Sequence, residues 1–287
     1  MARADSRSRR ANNDDGRVAL TLDVQLNQAV LSWPELRDRA AAAEDAGYGA
    51  LWVFDHLAGD CFNGDSMLEG FTLLGALATT TSTIQLGVMV ANVNNRTPAL
   101  LAVAAATVTA IAERRFHLGV GAGGPPDSPW SAEMRAVGQR VEPTIAGRHA
   151  LVERALDTID LLWADDRPAD VAAFPLPRPR PPVVIGVNSV ELAALAGRRA
   201  DGVNVDWHHP RRDQLLAAAT SAADVAGRTD DFALTTWLRW DAALLATDHP
   251  MRAEMTERSI RRAVLVVPAE VTPRQLAAVR AISGGSQ

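Results

Sequence analysis

A parallel (β/α)8 barrel is the fold class this sequence predicts, on three observations. Short apolar runs alternate with helix-patterned segments from residue 17 onward, eight such runs can be counted, and no composition break or linker divides them into two cores. Alternating strands and helices build a parallel sheet. Eight units over this length suit a closed barrel, with an open doubly wound sheet as the alternative. Residues 17–287 are therefore read as one domain. Residues 1–16, rich in Arg, Asp and Asn, are read as a disordered leader. Arg9 and Arg10 have the look of a twin-arginine signal, but Ala11, Asn12, Asn13, Asp14 and Asp15 follow in place of an apolar stretch.

The first strand is expected within Val18 to Leu26. Ser32-Trp33-Pro34-Glu35 then opens a helix as a capping box, and Gly47 ends it in a left-handed conformation. Ala50 to Phe54 is the second strand, running into Asp55-His56. Glu69 to Thr80 reads as a helix, Ile84 to Val93 as the third strand, and Thr97-Pro98 as a helix start with proline at its first position. Phe116 to Val120 is the fourth strand and leads into the glycine-rich loop that begins at Gly121. Arg148 to Trp163 places Leu151, Ala155, Ile159 and Leu162 on one helical face.

The proline-rich stretch from Pro168 to Pro182 is expected to run extended over the surface. Val183 to Val187 is the fifth strand, Asn188 to Arg199 a helix, and Gly202 to Val205 the sixth strand. Pro210 to Ala226 is helical, Phe232 to Ala246 contains the seventh strand, and Met251 to Ser259 is helical. Ala263 to Val267 is the eighth strand, and Thr272-Pro273 opens a last helix.

Composition excludes several function classes. All 29 basic residues are arginine, so Schiff-base chemistry and a Walker-type phosphate loop are both ruled out. A net charge of −5 gives no footprint for nucleic acid, and no apolar run is long enough to cross a bilayer. One cysteine, Cys61, allows neither an internal disulfide nor a cysteine-cluster metal site, which fits a reducing cytoplasm. His208-His209 would point apart on a strand and has no carboxylate spaced to join it, so no metal is expected. His117 is read as structural, Cys61 as inert, and Trp207, Trp237 and Trp240 as barrel or pocket lining.

In a barrel, function lies on the loops after the strands. There the sequence becomes specific. Ala46-Gly47-Tyr48-Gly49-Ala50-Leu51-Trp52-Val53-Phe54-Asp55-His56 resembles the second-strand signature of luciferase-like flavin and deazaflavin oxidoreductases. Ile84 to Val93 followed by Arg96-Thr97-Pro98 is similar to that family's third unit, and Arg115 to Gly123 to its fourth. Pro182 to Gly186 with Ala196 to Gly202 is similar to its fifth and sixth. The Asp-His pair most resembles the branch that uses the deazaflavin coenzyme F420, with the FMN branch as its competitor. The last third is shorter than the family usually has.

The resemblance implies hydride transfer between F420 and a small organic substrate. The alternatives are an FMN-dependent monooxygenase and a flavin-binding barrel without turnover. It implies His56 as the proton donor or acceptor, with Asp55 orienting His56 or touching the ring. A bulge with a non-proline cis peptide between Met89 and Val90 would brace the ring, and Asn92 would reach its edge or tail. Ala122 and Gly123 would allow close backbone approach. Gly186, Val187, Asn188 and Ser189 would receive the phosphate at a helix start, where N-capping by Asn188 with Glu191 is the ordinary explanation. The family's sugar-phosphate dehydrogenases carry an acid after the second glycine; here that place is Gly124, which argues against that reaction. Without lysine, an anionic substrate would need an arginine such as Arg96. A homodimer is the implied assembly.

Overall fold

The computed structural model describes residues 19–277, so the expected leader lies outside the described residues. The elements follow the expected alternation: β1 (Thr21–Leu26), α1 (Trp33–Ala46), β2 (Ala50–Val53), α2 (Gly70–Thr80), β3 (Gln85–Asn92) and α3 (Pro98–Ala112). Next come β4 (Phe116–Gly121), α4 (Ala132–Ala136), α5 (Ile145–Trp163), β5 (Val183–Val187), α6 (Val190–Arg199) and β6 (Gly202–Asp206). The chain continues through α7 (Arg212–Val225), β7 (Ala233–Arg239), α8 (Pro250–Glu257), β8 (Ile260–Val267) and α9 (Pro273–Leu276). All strands are parallel, and β8 pairs with β1 in register Asp23 with Val264 and Gln25 with Val266. The barrel is closed, which excludes the open sheet.

Local chemistry accounts for the helix starts. Glu35 accepts from both the backbone N–H and the hydroxyl of Ser32, and Gly47 ends α1 at φ 83°. Glu69 accepts from Phe71 N at 3.2 Å and Thr72 N at 2.7 Å at the head of α2, and Thr97 caps α3 ahead of Pro98. Several expectations need correction, among them the eighth strand, which begins at Ile260 rather than Ala263. α5 begins at Ile145 rather than Arg148, because Thr144 accepts from Gly147 N at 3.0 Å. α6 begins at Val190 with Ser189, not Asn188, as its cap. The proline-rich connector is pinned rather than simply laid over the surface. The Arg167 guanidinium donates to the carbonyls of Leu162, Ala172 and Phe174, and Pro177 and Pro181 are buried.

Strand side chains pointing outward, such as Val24, Leu51, Leu86, Leu118, Ile185 and Val203, are fully buried against the helices and make the main core. Inside the barrel the composition changes. A small separate apolar cluster joins Ala50, Trp52, Met89 and Val264. Beneath it Arg262 pairs with the buried Asp23 at 2.8 Å and 3.1 Å, and Asp23 also accepts from the Trp52 indole at 2.9 Å. Gln85 Oε1 meets Arg262 and lies 2.6 Å from His117 Nε2. Gly87 is obligatory there, since a Cβ would sit 2.5 Å from the Trp52 ring. This plug closes the amino-terminal end and leaves the carboxyl end open.

Burial, reinforced by the guanidinium groups of Arg262 and Arg115, holds His117 well below its ordinary value of 6.5. The unfolded chain takes up a proton near 6.5 while the folded chain does not, so stability is full above that pH and falls as pH drops below it. The expected slope is at most about 1.4 kcal/mol per pH unit. Urea unfolding between neutral and mildly acid pH checks this, and His117→Gln should remove that part of the slope.

Candidate active site

A cavity of about 630 Å³ opens at the carboxyl ends of the strands. Its floor is set by β3. The pairing of β3 with β4 shifts register between Val88 and Ala91, and the Met89–Val90 peptide is cis, as expected. Missing side chains on the neighbouring strands make room for this bulge. A Cβ on Gly119 would lie 2.4 Å from the Val88 carbonyl oxygen, one on Gly121 2.4 Å from Val90 Cγ2, and one on Gly186 2.8 Å from Val90 Cγ1. The Met89 carbonyl accepts from the buried Gln25 amide. Gln25 also lines the cavity. Sequence reasoning passed it over, although the polar residues at alternate positions of β1, Thr21, Asp23 and Gln25, were the available signal.

Of the residues expected at the site, Asp55, His56, Met89, Val90, Asn92, Ala122, Gly123, Gly186, Val187 and Asn188 all line this cavity. Ser189 does not. It is buried, its hydroxyl caps α6 by accepting from Leu192 N at 3.3 Å, and it lies 3.4 Å from His149 Nε2. Asn92 Oδ1 accepts from the backbone and amide of Asn94 at 3.0 Å and 2.9 Å. Gly123 sits at φ +70° against that contact, where a Cβ would come within 2.9 Å of the same oxygen. Arg211 donates to the Asn188 carbonyl at 3.1 Å.

Asp55 lines the cavity but does not orient His56. Its carboxylate is clasped by both Arg96 guanidinium nitrogens, at 2.6 Å and 2.7 Å, and accepts Asn92 N–H at 2.8 Å. Arg96 also reaches Glu69 at 2.9 Å and stacks 4.8 Å from the Phe71 ring centre. Asp55 therefore ties the loop after β2 to the loop after β3, and its partners are Arg96 and Asn92 rather than His56. The same contacts bear on the expectation for Arg96, whose guanidinium is engaged by Asp55 and Glu69 and is not among the residues lining the cavity.

The partner of His56 is Glu133, on the short helix α4 that sequence patterning did not foresee. His56 Nδ1 lies 3.1 Å from Glu133 Oε1, with side-chain exposures of 19% and 5%. The approach is off the line of a straight hydrogen bond, and neither atom has another partner among the described residues. Glu133 Oε2 accepts Leu57 N–H at 2.7 Å and Ala58 N–H at 3.0 Å. Burial alone would raise the Glu133 pKa; His56 and the two backbone donors outweigh it and hold the carboxyl below its usual range. The imidazole stacks edge-on to Phe62 at 5.0 Å and tilts against Trp130 at 5.8 Å.

Gly124 carries no acid, and its carbonyl accepts from Ser131 Oγ at 3.1 Å as the loop turns into α4. Cys61 Sγ contacts the Pro129 carbonyl at 3.0 Å. Burial, then Glu133 and Asp60, push its thiol pKa up, consistent with an unreactive cysteine. His208 and His209 lie on the turn after β6, not on a strand, and His209 Nδ1 accepts Arg211 N–H. Trp237 and Arg239 complete the cavity from β7.

Residues 18–280 match the family described as luciferase-like monooxygenase. The chain belongs to that family. Among curated luciferase-like relatives, the F420-dependent glucose-6-phosphate dehydrogenase of Segniliparus rotundus is 28% identical over 207 residues, 68% of this chain and 60% of that protein. The F420-dependent hydroxymycolic acid dehydrogenase of Mycobacterium tuberculosis is 30% identical over 66% of this chain and 53% of its own length. The chain thus spans about three fifths or less of these relatives. Among solved structures, an F420-dependent secondary alcohol dehydrogenase bound to an F420-acetone adduct superposes with TM-score 0.73 at 16% identity. That match covers 93% of this chain and all of the other. The EDTA monooxygenase of Chelativorans sp. BNC1 superposes with TM-score 0.70 at 14% identity, covering 93% of both chains. At such identities these two structures speak for the luciferase-like barrel alone.

Proposed function

We propose that this chain is an F420-dependent oxidoreductase that moves a hydride between the deazaflavin and a small, neutral, largely apolar organic substrate. The observation that carries this reading is that His56 and the bulged Met89–Val90 segment face one cavity. A planar ring fits there. Gly121 and Gly186 give the Val90 side chain room to pack against β4 and β5, and the cavity volume lies in the range of ordinary cofactor sites. When bound, the cofactor supplies the carbon that accepts or donates the hydride.

The residues divide the remaining work. Met89 and Val90 would back the ring, with Gln25 holding the Met89 carbonyl in place. Ala122 and Gly123 would admit close approach of the ring or its tail, with Asn92 braced beside them. Gly186, Val187 and Asn188, at the head of α6, would receive the phosphate. His56 would exchange the proton that accompanies the hydride. Phe54, Phe62, Trp130 and Trp237 give the substrate side an aromatic wall. Arg96 is engaged by Asp55 and Glu69, and Gly124 replaces an acid, which leaves Arg239, 3.6 Å from Glu270, as the guanidinium among the cavity-lining residues.

Names of curated relatives favour F420, and FMN is the second reading because the family and several of its folds include monooxygenases. Titrating each cofactor into the purified chain while following tryptophan fluorescence tests the choice. F420 should bind more tightly than FMN, and reduced F420 should stay reduced in air until an apolar ketone or aldehyde is added. Preferential FMN binding with rapid reoxidation in air would overturn the reading. Tight F420 binding with no turnover would leave a binding barrel instead. A cytoplasmic location and a homodimer belong to the same proposal, the dimer being checked by sedimentation.

A further inference from the structure

We propose that Glu133 is a positioning residue that keeps a proton on Nδ1 of His56, so that Nε2 is the imidazole atom exchanging protons with the substrate. The proposal rests on the oxidoreductase reading for its catalytic meaning, and on the side-chain geometry for its substance. Glu133 Oε2 already accepts two backbone N–H groups, from Leu57 and Ala58. Those bonds anchor the carboxylate and leave Oε1 facing His56 Nδ1 at 3.1 Å. Both atoms are buried and lack any other partner among the described residues. A carboxylate accepts, so a hydrogen bond across this pair, once the ring swings into line with Oε1, requires Nδ1 to be the donor. The aromatic contacts with Phe62 and Trp130 restrain the ring from turning the other nitrogen inward.

The consequence is a defined proton inventory. With F420 bound, oxidation of an alcohol would break its carbinol C–H bond and pass the hydride to the oxidised cofactor. The hydroxyl O–H bond also breaks, its proton goes to His56 Nε2, and the freed electron pair completes the C=O bond. In the reverse direction Nε2–H returns the proton to the carbonyl oxygen as the hydride arrives from reduced F420. Throughout, the anion of Glu133 faces the imidazolium from its far side and stabilises the charged form. The carboxylate works from behind the imidazole and does not touch the substrate.

The test is long-range proton–nitrogen NMR on the full chain with labelled histidine and no cofactor present. The neutral His56 ring should show a protonated Nδ1 and an unprotonated Nε2. In Glu133→Gln the carboxamide oxygen keeps the Leu57 and Ala58 bonds while its NH2 donates to Nδ1, so the tautomer should invert. Turnover with F420 should then fall about 100-fold, with cofactor Kd and substrate KM unchanged, and Glu133→Asp should restore the original tautomer and much of the rate. A wild-type ring protonated on Nε2 overturns the proposal whether or not any variant folds. So does a tautomer that stays put in Glu133→Gln, or a rate loss that only tracks lost stability or lost cofactor binding. Because the NMR measurement needs no cofactor, an inverted tautomer with no F420 turnover would reject the functional reading and keep the pair.

Discussion

His56→Ala is expected to slow hydride transfer by at least about 100-fold, the usual contribution of a positioned acid–base group, while cofactor binding stays close to wild type. The reasoning is geometric. His56 lines the cavity that holds the bulge, and Nδ1 is turned to Glu133, so Nε2 is the ring nitrogen left for a substrate. Removing the ring deletes the proton route without disturbing the Val90 side of the cavity, which is built from Gly121, Gly186 and Gln25. Single-turnover kinetics with preloaded F420, beside a fluorescence titration for Kd, separates the two effects. A variant that binds and turns over like wild type would remove His56 from the chemistry.

Arg96→Ala carries the second large effect, and it is one of stability. Arg96 and Asp55 are 8% and 1% exposed and joined by two short bonds, so truncating the arginine leaves a buried carboxylate without its counter-charge. Breaking such a pair costs about 3–5 kcal/mol. Asn92 N–H would lose the fixed orientation of its acceptor, and the loops after β2 and β3 would come apart. Chemical denaturation should show the lost stability directly. Arg96→Lys should recover only part of it, since an ammonium cannot reproduce the paired geometry. If Arg96 held a substrate anion instead, stability would be unchanged and only KM would rise.

The contrast between these two residues shows where sequence reasoning reached and where it stopped. His56 and the Met89–Val90 bulge were legible because both lie in contiguous signatures, Ala46 to His56 and Ile84 to Val93, that resemble a known family. Arg96 was also visible, but only as a cation with no lysine to replace it. Its partners, Asp55 and Glu69, are loop and helix-cap residues of the neighbouring β2–α2 connection, brought to it by barrel closure. Glu133 was invisible for the same reason: no spacing connects a short helix after β4 with the end of β2. Ser189 failed by one residue. Once the helix starts at Val190, the serine hydroxyl must cap it and is buried away from the cavity.

By itself the sequence determined the order of elements, the barrel, the end at which function gathers, and the absence of lysine chemistry. Those follow from periodicity, caps and composition, which are local properties of the chain. The tertiary structure alone decided which charges meet: Asp55 with Arg96, Glu133 with His56, Asp23 with Arg262, and Gln25 with the Met89 carbonyl. Closing eight strands brings side chains from distant units within 3 Å or so of one another. At that range burial and electrostatics choose partners that no local pattern records.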